Sequence, residues 1–227
     1  MSIIFDAETS ALTIHTDNTT YQMQVGPLGY LLHLYYGRRT QGTMDYLLSR
    51  FDRGTSAAPY ELAQERTTSL DFLPQEYPVQ GTGDTRSPLM VVRDAEGAFG
   101  CDLRYVRHEI RPGKYSLEGL PAAYSDAAED EAETLSVTLR DWRLGLEVEL
   151  LYGVLPHIDI ICRAAIVRNQ GFTSTMRLTI FKDGTNDQEN CAVLDRVIKT
   201  LLWARGGYKI VVCGSKPVYE YIKAAYD

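Results

Sequence analysis

Residues 11–25 read ALTIHTDNTTYQMQV. Leu12 and Ile14 alternate with Thr13 and His15, and Tyr21, Met23 and Val25 alternate with Gln22 and Gln24, with the polar DNTT as a turn between the two runs. A side-chain period of two broken by a polar turn is the signature of antiparallel strands with one face on a core. The same rhythm returns in Leu135, Val137 and Leu139, in Leu144, Leu146, Val148 and Leu150, and in Ile158, Ile160, Cys162 and Ala164. Many alternating strands with polar backs predict two packed antiparallel sheets. Between these sets, Tyr36 to Pro88 is rich in Arg, Asp, Gly, Thr and Pro and has little periodicity. A long irregular segment on a sheet scaffold is usually functional or disordered. The acidic patch Asp126, Glu129, Asp130, Glu131 and Glu133 reads as a solvated loop ahead of a strand.

Composition narrows the function classes. The 227 residues are 44% hydrophobic and 23% charged, as in ordinary globular proteins, and fit one large domain or two small ones. Thirty acidic against 23 basic residues give a net charge of −7, which argues against a broad surface for nucleic-acid phosphates or anionic lipid. Neutral polar ligands stay open. The opening MSIIFDAETS has no basic and apolar leader, and no apolar run approaches a membrane span, so a cytoplasmic protein is expected. Cys101, Cys162, Cys191 and Cys213 form no CxxC pair and read as reduced thiols in or near the core. His15, His33, His108 and His157 lack the spacing of a helical metal site, so no metal or other cofactor is expected. Tyrosine is in excess, 15 against six Phe and two Trp, which suits half-buried strands and sugar-facing surfaces alike. No serine sits in a nucleophile elbow, and no cysteine has a local activating signature.

The character changes after about Met176. Residues 177–227 carry eight basic against six acidic residues, a charge of +2 that leaves −9 for residues 1–176. Arg177 to Phe181 reads as a strand, Asn186 and Glu189 as a helix capping box, and Cys191, Leu194, Ile198 and Leu201 as a helical face stopped at Gly206 and Gly207. The apolar IVVC then reads as a second strand, and Val218, Tyr221, Ile222 and Ala225 as a second helix. Such a β-α-β-α unit cannot cover a parallel pair on both faces by itself and looks like part of something larger. Ser215 and Lys216 in CGSK could face a phosphate, but the glycine-rich spacing of a phosphate loop is missing and routine strand-to-helix connection is the better reading.

A more specific pattern runs through the irregular stretch and beyond. In order, the chain reads YLLSRFDRG (46–54), ERTTSLD (65–71), QEYPVQGTGDTRSP (75–88), CDLRYVRHEIRPGKYSLEGL (101–120) and AETL (132–135). This set closely resembles the N-terminal domain of bacterial α-galactosidases of glycoside hydrolase family 36, from Met1 to about Gln170. The resemblance implies a fold that is mainly β, an antiparallel β-sandwich over residues 1–176 that forms an incomplete β-supersandwich; the short C-terminal α/β segment over 177–227, read from its own periodicity, departs from the family, which continues there with more sandwich strands and then the barrel. It also implies a non-catalytic module. Family members carry two catalytic aspartates on a separate (β/α)8 barrel and hydrolyse terminal α-galactosides such as melibiose and raffinose with retention through a covalent intermediate. No catalytic residue is therefore assigned to the matched part.

In tetrameric members a loop of this domain reaches into a neighbouring subunit's sugar site. The residues matching that loop are Asp52 in FDRG and Arg66 in ERTTSLD, so the expected partners are α-galactosides held through a partner subunit of a homo-oligomer. An aspartate accepts hydrogen bonds from sugar hydroxyls, and an arginine donates to them or holds the aspartate. A salt bridge or loop cap on a solvated turn is the competing reading of the same pair. Thr55, Gln80 and Thr85 stand where the family commonly has aromatics, and each ring lost at a buried site is expected to weaken packing by about 1–3 kcal/mol. The change of pattern at the end is expected to mark a truncated or fused product. A stand-alone carbohydrate- or protein-binding sandwich is the alternative.

Overall fold

A computed structural model describes residues 2–50, 52, 61, 66–81, 87–94, 97–120, 123 and 131–170, and the backbone of 175–177. The expected β-α-β-α segment lies outside the described residues apart from the backbone of Arg177. Strands β1 (Ile3–Asp6), β2 (Ala11–His15), β3 (Thr19–Val25) and β4 (Leu31–Arg38) form one antiparallel sheet in chain order. Strands β6 (Arg104–Pro112), β7 (Glu133–Asp141), β8 (Leu146–Leu155) and β9 (Ile160–Asn169) form a second, and β5 (Val91–Arg93) pairs with β10 (Thr175–Arg177).

The expected alternation sets the register. Leu12 stands opposite Met23 and Ile14 opposite Tyr21, while Val137 stands opposite Leu150 and Leu139 opposite Val148. These inward faces, with Ile3, Leu135, Leu146, Tyr152 and Val154, join in a single core cluster, so the two sheets are packed face to face. A slip of one residue would turn a whole apolar row to solvent, which is why both sheets hold one pairing. The sandwich expected from the sequence is the one observed.

Strand β4 is apolar on both faces. Leu31 joins the shared core, whereas Leu32 and Leu34 pack with Tyr30, Leu48, Leu70 and Leu73 in a second cluster. Part of the irregular stretch thus covers the outer face of the first sheet. The QEYP segment then lies along β4: Gln75 bridges Leu32, the Glu76 N–H donates to the Leu31 carbonyl at 2.9 Å, and the His33 N–H donates to the Pro74 carbonyl at 2.8 Å. Nearby, Gly81 adopts φ +116°, and a Cβ on it would lie 2.5 Å from Gly100 Cα. Glycine is needed there because two backbones cross in contact.

Three local expectations change. Ile158 and Ile160 are 62% and 43% exposed, and it is Ile161 and Val167 that pack on the core. Both alternate rows of this stretch are apolar, so period two cannot choose a face, and Asp159 at φ 56° resets the phase after the 3-10 turn Pro156–Ile158. Glu133 is no solvated loop residue: it opens β7, and its Oε2 accepts the backbone N–H groups of Ser2 and Ile3. Gln80 is exposed, so no buried ring is missing at that position, and its backbone bonds Met90 and Cys101. Thr55 and Thr85 lie outside the described residues.

Candidate functional site

Asp52 and Arg66 are flanked in the chain by two residues of the apolar cluster on the outer face of the first sheet: Leu48 before Asp52 and Leu70 after Arg66, both buried against β4. Asp52 and Arg66 each lie four residues along the chain from one of these anchors, and both are exposed. Residues 53–60 and 62–65 are not among those described.

A third point of attachment falls inside the loop. Arg104, at the start of β6, places its Nη1 3.0 Å from Glu61 Oε1. The same guanidinium holds Asp102 Oδ2 through Nε at 3.0 Å and Nη2 at 2.8 Å, and its carbon lies 5.2 Å from the centre of the Tyr30 ring. The Tyr30 hydroxyl donates to Asp102 Oδ1 at 2.8 Å. The Asp102 N–H donates to Asp141 Oδ2 at 2.7 Å, and Asp141 Oδ1 accepts the Leu144 N–H. The DLRY motif therefore builds a rigid fork whose far end grips the loop. Its own backbone N–H, and then Arg104, hold the Glu61 carboxyl below the usual glutamate range. Burial pushes the Tyr30 hydroxyl up, and its bond to Asp102 adds to the effect.

Another deeply buried acid lies elsewhere, at Glu76. Its side chain is 1% exposed, and both oxygens accept from the Tyr21 hydroxyl, at 2.7 and 2.8 Å. Oε1 also accepts from the Tyr152 hydroxyl at 2.7 Å and from Arg163 Nη2, and Oε2 lies 3.2 Å from His33 Nδ1. The guanidinium lies 5.6 and 5.3 Å from the centres of the Tyr21 and Tyr152 rings. Tyr21 comes from the first sheet and Tyr152 and Arg163 from the second, so one carboxylate bolts the sandwich together. Burial alone would raise its pKa, but the bonds of His33, Arg163 and the two tyrosines outweigh that and hold it below the ordinary 4.5. Burial and then the Glu76 charge push both tyrosine hydroxyls up. With its lone pairs occupied and its side chain 1% exposed, Glu76 acts as a strut.

The two residues expected at the sugar site thus lie, along the chain, between three residues fixed to the scaffold, Leu48, Glu61 and Leu70. The fork of Tyr30, Asp102, Arg104 and Glu61 was not anticipated. DLRY and QEYP carried a signal as motif blocks, whereas Glu61 has no local signature at all.

A model of the glycosyl hydrolase family 36 N-terminal domain matches residues 29–181. The chain belongs to that family. The match continues past Gln170, over the first residues of the segment read as different in character. The bifunctional α-galactosidase/sucrose kinase AgaSK of Mediterraneibacter gnavus is 50% identical over 182 residues, 80% of this chain and 19% of that protein. Among solved structures, the galactosidase domain of α-galactosidase-sucrose kinase AgaSK superposes with a TM-score of 0.73 at 48% identity, covering 77% of this chain and 24% of that one. A variant of the family 36 α-galactosidase AgaA from Geobacillus stearothermophilus, in complex with raffinose, gives 0.65 at 39% identity, covering 71% and 22%. This family 36 chain spans about a fifth of the length of those relatives. Among the described residues no helix is long and apolar enough to cross a membrane.

Proposed function

We propose that this chain supplies the N-terminal, non-catalytic module of a cytoplasmic α-galactosidase. In this reading it supports assembly of a homo-oligomer and presents Asp52 and Arg66 to the sugar pocket of a partner subunit. The observation that carries it is the placement of Asp52 and Arg66, both exposed and each four residues along the chain from a buried anchor, Leu48 or Leu70, with Glu61 between them held by Arg104. Exposed polar side chains close to fixed anchors suit recognition of hydroxyls, and a variant of the relative AgaA was solved in complex with raffinose.

The test is to incubate the purified 227-residue chain with an aryl α-galactoside, alone and after co-expression with the barrel-bearing part of a family relative. No turnover above a buffer blank is expected from the chain alone, and turnover there would sink the non-catalytic reading. With the barrel, Asp52→Ala and Arg66→Ala are each expected to lower kcat/KM by roughly 10–100-fold, the loss of one charged hydrogen bond to substrate. The oligomer should be unchanged, and unaltered kcat/KM in both variants would remove the loop from the sugar site.

A further inference from the structure

The outer face of the second sheet carries a cleft that the galactosidase reading does not use. After β6 the chain doubles back over this face: the Gly113 N–H donates to the Ala132 carbonyl at 2.7 Å, the Tyr115 N–H donates to Thr134 Oγ1 at 2.9 Å, and that hydroxyl donates to the Gly113 carbonyl at 2.7 Å. The crossing passes over Gly153, where a Cβ would lie 2.8 Å from Lys114 Cγ and 3.1 Å from Tyr115 Cε1. The wall is thus fixed by hydrogen bonds and by the absence of a side chain beneath it. Together with Arg111, Leu117, Glu149, Ile166 and Arg168, Tyr115 lines a cleft of about 360 Å³. That volume is in the range of small-molecule sites.

Its chemistry selects a ligand class. Leu151 and Ile166 give the cleft an apolar lining. At one side Glu149 Oε1 accepts from Ser136 Oγ at 2.7 Å and lies 3.7 Å from Arg111, and Oε2 lies 2.7 Å from Arg168 Nη2. Fixed carboxylate oxygens and guanidinium N–H groups beside an apolar surface match a pyranose ring, which has a C–H face and an edge of hydroxyls. Two arginines face three acids, because Glu109 lies 3.8 Å from Arg111 and Glu147 lies 3.6 Å from Arg168. No positive surplus is left for a phosphate or carboxylate. We propose that this cleft binds a neutral hexopyranoside, using Glu149, Arg111 and Arg168 for its hydroxyls and Tyr115, Leu151 and Ile166 for its apolar face.

Calorimetric titration of the full chain with galactose and with raffinose, and inorganic phosphate as the anionic control, tests this. Saturable binding of at least one sugar is expected, weakened tenfold or more by Leu117→Trp, which fills the cleft from its wall, and by Arg168→Ala. Glu8→Ala, on the exposed turn between β1 and β2, should leave it unchanged. In the unmodified protein, amide shifts on sugar addition should centre on Tyr115, Ser116, Glu149 and Arg168, so the result does not depend on a variant folding. Absence of saturable sugar binding, shifts centred elsewhere, undiminished affinity in a folded Leu117→Trp, or tighter binding of phosphate would each overturn the assignment.

Discussion

Glu76 and Asp159 both tie the first sheet to the second, one in the interior and one at a surface turn. Glu76, its own side chain almost out of water, gathers two tyrosine hydroxyls, a half-exposed arginine and a histidine about a third exposed. Asp159, between β8 and β9, accepts from Thr16 Oγ1 at 2.7 Å, the Asn18 N–H at 2.8 Å and Asn18 Nδ2 at 2.7 Å, in the turn between β2 and β3. The bond counts are similar and the surroundings are not. At the surface water replaces a lost partner, whereas in the interior a charge stripped of its counterpart keeps its desolvation cost.

The contrast is open to direct test. Glu76→Gln should have the largest effect, a loss of about 2–4 kcal/mol in urea unfolding, because the half-exposed Arg163 loses its counter-charge and one of the two buried acceptor oxygens is replaced by an amide NH2, which donates and cannot accept. Tyr152→Phe removes one donor while the charge pair stays, so about 1–3 kcal/mol is expected from the same unfolding curves. Acid should weaken the inner bolt as well. The folded-state pKa of Glu76 lies below its ordinary value of 4.5, so its contribution is present above 4.5 and is lost as pH falls through the lower folded value. Thermal melts from pH 7 downward should show this decline, and Glu76→Gln should flatten it. Asp159→Asn, which tolerates the left-handed turn, is expected to cost least, lowering Tm only slightly at neutral pH. A loss in Asp159→Asn that equals Glu76→Gln would erase the distinction between the two ties.

What the sequence disclosed follows the same line between local and distant causes. The runs at Leu12–Ile14, Tyr21–Val25 and Leu135–Leu139 were legible because strand pairing and burial repeat every two residues and each residue reports its own face. Strand β9 was misphased because both of its rows are apolar and the turn that sets its phase depends on the left-handed Asp159. The site divides similarly. Asp52 and Arg66 were reachable through motif blocks, and nothing around Glu61 announces that Arg104, far along the chain, holds it. Glu76 could be seen as part of QEYP, but its partners at positions 21, 33, 152 and 163 meet only after both sheets have formed.

The contact between Glu133 and the N–H groups of Ser2 and Ile3 joins positions more than 125 residues apart in sequence. During synthesis, at about 5–20 residues per second, the first strand would emerge from the ribosome on the order of ten seconds before its acceptor exists. The nascent first sheet must remain soluble through that interval without its facing layer, so chaperone capture is expected to be most productive before β7 appears.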